Sequence, residues 1–177
     1  MKIKNIYVVQ AGLIAALYFV LTLISNAMGL AFGPIQVRLS EILCILPVLT
    51  PAAIPGLAIG CAISNLASPY GLADILIGTS ATLIAAILTR LLRNVRIKDY
   101  PFAASLMPVI CNALIVGAEL TFFLADGESA KATTFLITAL EVGAGEFISV
   151  VILGLLLFYR LLQRPDISKI FEPLTDS

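Results

Sequence analysis

The chain has 177 residues, 60% hydrophobic and 12% charged, with 11 basic residues balancing 11 acidic ones and a mean hydropathy of +1.05. Soluble domains carry about 25% charged residues, so this composition excludes an ordinary soluble protein and predicts a single all-α, polytopic membrane domain over residues 1–177. No basic cluster points to nucleic acid, and the absence of histidine removes the commonest general base and metal ligand.

Six membrane-spanning helices are predicted, over about residues 6–30, 39–49, 52–67, 72–92, 101–124 and 133–162. The first follows Lys2 and Lys4 and reaches Ser25-Asn26-Ala27, which imitates a secretory signal. Its apolar run from Ile6 to Ile24 is long enough to span, and cleavage would leave an odd number of spans, so an uncleaved helix is expected. Ala11 and Ala15 stand four apart, as do Gly12 and Ala16, and Gly56 and Gly60 repeat the spacing. Such pairs let helices approach closely, either inside the bundle or against a partner.

The second helix is short. Pro34, Pro47, Pro51 and Pro55 prevent a continuous helix through this region. Its crossing is expected to be completed by residues 29–37, dipping into the protein and ending at Arg38. Irregular backbone at membrane depth is tolerated only where it is buried or lines a cavity, so this stretch is a candidate binding loop. Cys44, Cys61 and Cys111 lie in apolar segments without C-x-x-C spacing and read as buried hydrophobes.

With the N-terminus inside, Lys2, Lys4, Arg90, Arg93, Arg96, Lys98, Arg160, Arg164 and Lys169 all fall on inner segments, and only Arg38 and Lys131 fall outside. The positive-inside rule then places both termini in the cytoplasm. The outer loops become 29–38, 68–71 and 125–132.

Five acids stand inside apolar stretches: Glu41, Asp74, Glu119, Glu141 and Glu146. In this orientation all lie in the outer half of the membrane or near its middle, with Asn65, Asn112 and Arg38. Intramembrane ionisable groups usually face a cavity, so a polar pocket open to the outside is expected under the 29–37 loop. Asn112 and Glu119 share a helix face. Glu141 and Glu146 diverge by about 140°, so both cannot point squarely into one cavity. Structural roles compete at several positions: an Arg38–Glu41 ion pair, Asp74 favouring its helix N-terminus, and Asn65 bonding a carbonyl between helices. Five acids and one arginine do not neutralise each other. Either some acids hold protons, or the ligand brings positive charge and donors. Tyr18, Phe19, Phe32, Tyr70, Phe122 and Phe123 are candidates for a stacking face or for lipid contact.

No phosphate loop of the G-x-x-x-x-G-K-[ST] type and no G-x-S-x-G is present, so neither ATP hydrolysis by that route nor enzyme activity is expected. The stretches Ile35-Gln36-Val37-Arg38-Leu39-Ser40-Glu41, Pro51-Ala52-Ala53-Ile54-Pro55-Gly56-Leu57, Asn112-Ala113-Leu114-Ile115-Val116-Gly117-Ala118-Glu119-Leu120 and Val142-Gly143-Ala144-Gly145-Glu146 carry a family resemblance. Together with the six helices and the Ala-x-x-x-Ala first helix, they resemble the QueT family, the S-components of energy-coupling-factor (ECF) transporters. The resemblance runs from about residue 6 to 162.

The resemblance implies a multi-pass subunit of a prokaryotic plasma membrane that binds a queuosine precursor, a 7-deazaguanine such as preQ1. It implies association with a coupling transmembrane subunit and two ABC ATPases, docking through Ala11 and Ala15, and no cofactor. Glu119, Glu141, Glu146 and Asn112 are the expected ligand contacts. Arg38, Glu41 and Asp74 complete the expected site, the first two either at its outer gate or on the ligand's carbonyl. The alternative is a proton- or sodium-coupled secondary transporter of a small cationic solute, whose membrane carboxylates carry the coupling ion.

Overall fold

The computed structural model describes residues 2–31, 35–123 and 132–163. Phe32 and the loop residues 124–131, Lys131 among them, lie outside the described residues, as do Arg164, Lys169 and the Phe123 side chain. The fold is all-helical, with six helical segments. Four helices are long and apolar enough to cross a membrane, namely Asn5–Ala27, Leu72–Leu91, Phe102–Phe122 and Ala132–Leu162. The second and third segments, Leu39–Val48 and Ala53–Ala67, are apolar but shorter. The molecule wears its hydrophobic residues outside: Val8 is 67% exposed and Leu140 is 73% exposed, as suits a protein dissolved in lipid.

The first helix, Lys2–Ala27, packs against the third. Its contact face is made of small residues. A Cβ at Gly56 would stand 2.8 Å from the Ala11 carbonyl oxygen, and one at Gly60 would stand 2.7 Å from the Tyr18 Cβ. Ala11 and Ala15 are therefore buried inside the bundle. The outward small pair is Gly12 and Ala16, and a Cβ at Gly12 would meet nothing within 4 Å.

The second segment winds as a 3₁₀ helix over Leu39–Val48 and lies at the centre, touching all five other helices. Runs of 3₁₀ this long are uncommon. Pro47 inside the segment and Pro51 beyond it supply no N–H, so an ordinary α-helical end cannot form. Its last carbonyls are satisfied from elsewhere. Arg90, on the fourth helix, donates to the Pro47 and Val48 oxygens at 3.1 and 3.2 Å.

Two further departures from α geometry, both π turns, begin at or beside acids. The fifth helix, Phe102–Ala118, widens into π turns over Glu119–Phe123. The sixth is α-helical over Ala132–Glu146, π over Phe147–Gly154, and α-helical again over Leu155–Leu162. Insertions of this kind concentrate at functional sites. Here they lie next to Glu119 and Glu146.

Candidate functional site

Beneath the loop that precedes the second segment lies a polar cavity of about 10 Å³, enough for about one water molecule. Gln36 and Arg38 line it from the loop, and Glu41 lines it from the second segment. Gly78 and Thr82 contribute from the fourth helix, Asn112 and Val116 from the fifth, and Val142 and Glu146 from the sixth. Two close approaches hold this geometry. At Gly145 any Cβ would collide with the Gln36 backbone, so the loop presses on the sixth helix one residue before Glu146. At Gly78 a Cβ would stand 2.8 Å from Asn65 Nδ2 and 2.9 Å from Asp74 Oδ1.

The polar groups form three linked sets. Arg38 pairs with Asp74 at 3.9 Å, donates through Nε to the Ala31 carbonyl at 3.0 Å, and reaches Asn65 Oδ1 at 3.5 Å. Asn65 Nδ2 in turn donates to the Asp74 carbonyl at 2.8 Å, bonding across two helices as its sequence position suggested. Glu41 accepts the Tyr18 hydroxyl at Oε1 and the Cys44 thiol at Oε2. Glu146 accepts from Asn112 Nδ2 at 2.7 Å.

The charge imbalance survives burial. Among the described residues, the buried ionisable set has one cation, Arg38, and four acids, Glu41, Asp74, Glu119 and Glu146. Glu119 is 1% exposed, and neither of its carboxylate oxygens has a hydrogen-bond partner. It lies in the electrostatic range of Asp74 and Arg38. Glu146 Oε2, Ser149 Oγ and Thr79 Oγ1 likewise lack a hydrogen-bond partner, and Asp74 Oδ2 has the Arg38 guanidinium at 3.9 Å but accepts no hydrogen bond. Uncompensated charge is costly to bury, so either these acids hold protons or a ligand supplies donors to them.

Several expected site residues do meet around the cavity: Arg38, Glu41, Asn112 and Glu146 line it, and Asp74 stands behind Arg38. Glu119 is buried close by but does not line it. Glu141 is only half-buried and is not in the lining, which follows from its divergence from Glu146 around the helix. Ala11 and Ala15 face the third helix rather than outward, because Gly56 and Gly60 admit them there.

Among the described residues no aromatic lines the cavity. Tyr18 acts instead through its hydroxyl on Glu41, and Phe122 stacks on Phe135 with ring centroids 5.9 Å apart. Gln36 falls within the candidate binding loop over 29–37 without having been singled out there, and Thr82 and Gly145 were not anticipated as site residues. The Gly143-Ala144-Gly145 run ahead of Glu146 was the visible signal for Gly145, since glycine permits close backbone approach.

The chain is thus an all-helical membrane protein with an acid-rich cavity beside its proline-broken central segment, and its class follows from a family of transporters. The QueT transporter family profile matches residues 8–163, and the chain belongs to that family. The chain is similar to the "Queuosine precursor transporter QueT" of Lactococcus lactis subsp. cremoris (strain MG1363), 31% identical over 169 residues, covering 95% of this chain and 99% of the relative. No solved structure matches the chain.

Proposed function

We propose that the chain is the substrate-binding S-component of an ECF transporter for a queuosine precursor, an aminomethyl 7-deazaguanine such as preQ1. The observation that carries this reading is the buried excess of acid, with carboxylate oxygens on Glu146 and Glu119 that lack partners. The relative's printed name supports the substrate class. A guanine-like edge presents two adjacent N–H donors, which suit one carboxylate. Glu146 takes this role. Asn112 orients it through Oε1, while Oε2 stays free for a ligand donor. Glu119 takes the aminomethyl cation, which would lift the penalty of its unpaired charge.

The cavity is far below the roughly 300 Å³ at which small-molecule pockets begin. Binding therefore requires the loop side chains of Gln36 and Arg38 to withdraw. Both termini are cytoplasmic in this reading, and the outward Gly12–Ala16 face of the first helix meets the coupling subunit, which links it to two ABC ATPases. The chain contains no phosphate-loop motif of its own.

Calorimetry on the detergent-purified protein tests the site. The wild type should prefer the aminomethyl base to plain 7-deazaguanine, and Glu119→Gln should abolish that preference while keeping the plain base bound. Equal binding of the two bases by the wild type, or an unchanged preference in Glu119→Gln, would overturn the two-carboxylate reading. For the assembly, ATPases should copurify. Uptake that collapses with an uncoupler at constant ATP would favour ion coupling instead.

A further inference from the structure

A second concavity lies at the other end of the bundle. The connection between the fourth and fifth helices folds beside the last turns of the sixth, nine or more residues along that helix from Glu146, about 13 Å or more at 1.5 Å per residue. Two adjoining cavities of about 270 and 440 Å³ open there and share Lys98 and Tyr100. The first is bounded by Tyr159 and Gln163, and the second by Ile97, Phe102 and Leu155. The first is mostly apolar but carries Lys98, Asp99 and Gln163 in its lining, and the second is almost wholly apolar.

Charge around this groove is one-sided. Residues 90–100 and 155–163 carry Arg90, Arg93, Arg96, Lys98 and Arg160 against a single acid, Asp99. Some of these cations are occupied. Arg90 closes the second segment, and Arg96 lies over the Phe158 ring with its guanidinium carbon 6.0 Å from the centroid. Lys98 and Arg160 donate no hydrogen bond to the protein among the described residues. Arg160 flanks Gln163, three residues on along the same helix face.

Lys98 is also held in place at a cost. It forms with Asp99 the centre of a tight turn closed by Ile97 N–H to Tyr100 O at 2.9 Å and the reverse bond at 3.1 Å. Their φ values are +49° and +69°, a left-handed conformation that usually falls to glycine or asparagine. The groove therefore combines a strained basic mouth with an apolar trough on a surface that faces lipid. Tyr100 and Tyr159, 6.2 Å apart, mark its rim with the aromatics that favour the membrane–water interface.

We propose that this groove binds an anionic phospholipid. The phosphate-bearing headgroup sits at Lys98, which lines both cavities, with Arg160 reaching it from outside both linings, one residue beyond Tyr159, and one acyl chain lies along Tyr100, Phe102 and Leu155. A phosphate and a hydrocarbon tail match the two ends of the groove, and basic pockets beside membrane helices have this chemistry. A peptide partner fits less well, because the groove runs along a helix long and apolar enough to cross a membrane and takes in Leu162, which is 48% exposed.

Native mass spectrometry and thermal unfolding of the purified chain test the site, using phosphatidylglycerol and phosphatidylcholine of matched acyl chains. Phosphatidylglycerol should be retained and should raise the Tm more than phosphatidylcholine does. Lys98→Gln with Arg160→Gln should weaken its retention about tenfold or more, while Lys4→Gln on the first helix should leave it unchanged. If the double variant does not fold, Lys98→Gln alone and loss of the preference in high salt read the same interaction. Equal retention of the two lipids overturns the proposal. So does equal binding of soluble glycerol phosphate, which would mean a free-phosphate site. Loss of coupling-subunit binding by the double variant with lipid retention unchanged would make the groove a protein interface instead.

Discussion

Glu146 and Arg38 show how differently two buried charges behave in one site. Glu146 is held by a single bond from Asn112 and keeps an oxygen free. A hydrogen bond to a charged group contributes about 1.5–3 kcal/mol, so Glu146→Gln should weaken deazaguanine binding by roughly one to two orders of magnitude, read by calorimetry. The fold should tolerate it, since glutamine can still accept from Asn112. Arg38 is the opposite case. Its removal leaves Asp74 buried with no cation beside it, and breaking a buried pair from one side costs about 3–5 kcal/mol. Arg38→Met should therefore lower the thermal midpoint sharply before any ligand is added. An unchanged midpoint would mean that Asp74 is not held as a charge by Arg38. At this scale the sequence was partly legible. Acids in apolar runs pointed to the cavity and Gln36 fell within the candidate loop over 29–37, but Thr82 carries no charge and raised no signal.

Among the elements, small residues and irregular turns decide the packing. Gly60 touches Tyr18 and Ala15, whereas Gly12 touches nothing. Overpacking a filled interface costs about 1–3 kcal/mol, so Gly60→Val should destabilise the protein by about that much in a detergent melt. Gly12→Ala should hold or slightly raise stability, because alanine is the better helix former by about 1 kcal/mol. The Arg90 guanidinium closing the proline-broken segment makes a related case. Arg90→Met leaves the Pro47 and Val48 carbonyls without that donor and should cost about 1–3 kcal/mol, measurable as a loss of thermal stability with ligand affinity affected less. The elements themselves were mostly readable, since prolines predicted a short second segment and apolar runs predicted the long helices. The π turns after Glu119 and Glu146 were not, because a pattern based on 3.6 residues per turn cannot register a local widening. Nor could spacing alone decide which pair of the first helix, Ala11–Ala15 or Gly12–Ala16, faces inward. That depends on where Gly56 and Gly60 fall on another helix.

For the whole molecule, the inward turn of Ala11 and Ala15 separates folding from assembly. Bulk added at those positions collides with the third helix, so lost transport in such variants would report a damaged fold. Bulk added at Gly12 and Ala16 projects from the outer face, where nothing in the chain stands in its way. Gly12→Trp with Ala16→Trp should therefore leave the thermal midpoint and ligand affinity near wild type and, under the proposed ECF assembly, abolish copurification of the ATPases and ATP-driven uptake. Ala11→Trp with Ala15→Trp should lower the midpoint and ligand binding together. Copurification that survives the outer pair would place the coupling contact elsewhere on the bundle, because two indole rings on a helix face block the close approach that small residues allow. The two double variants together distinguish a docking surface from a packing surface on one helix, four residues apart in each case and about a quarter-turn apart around the axis.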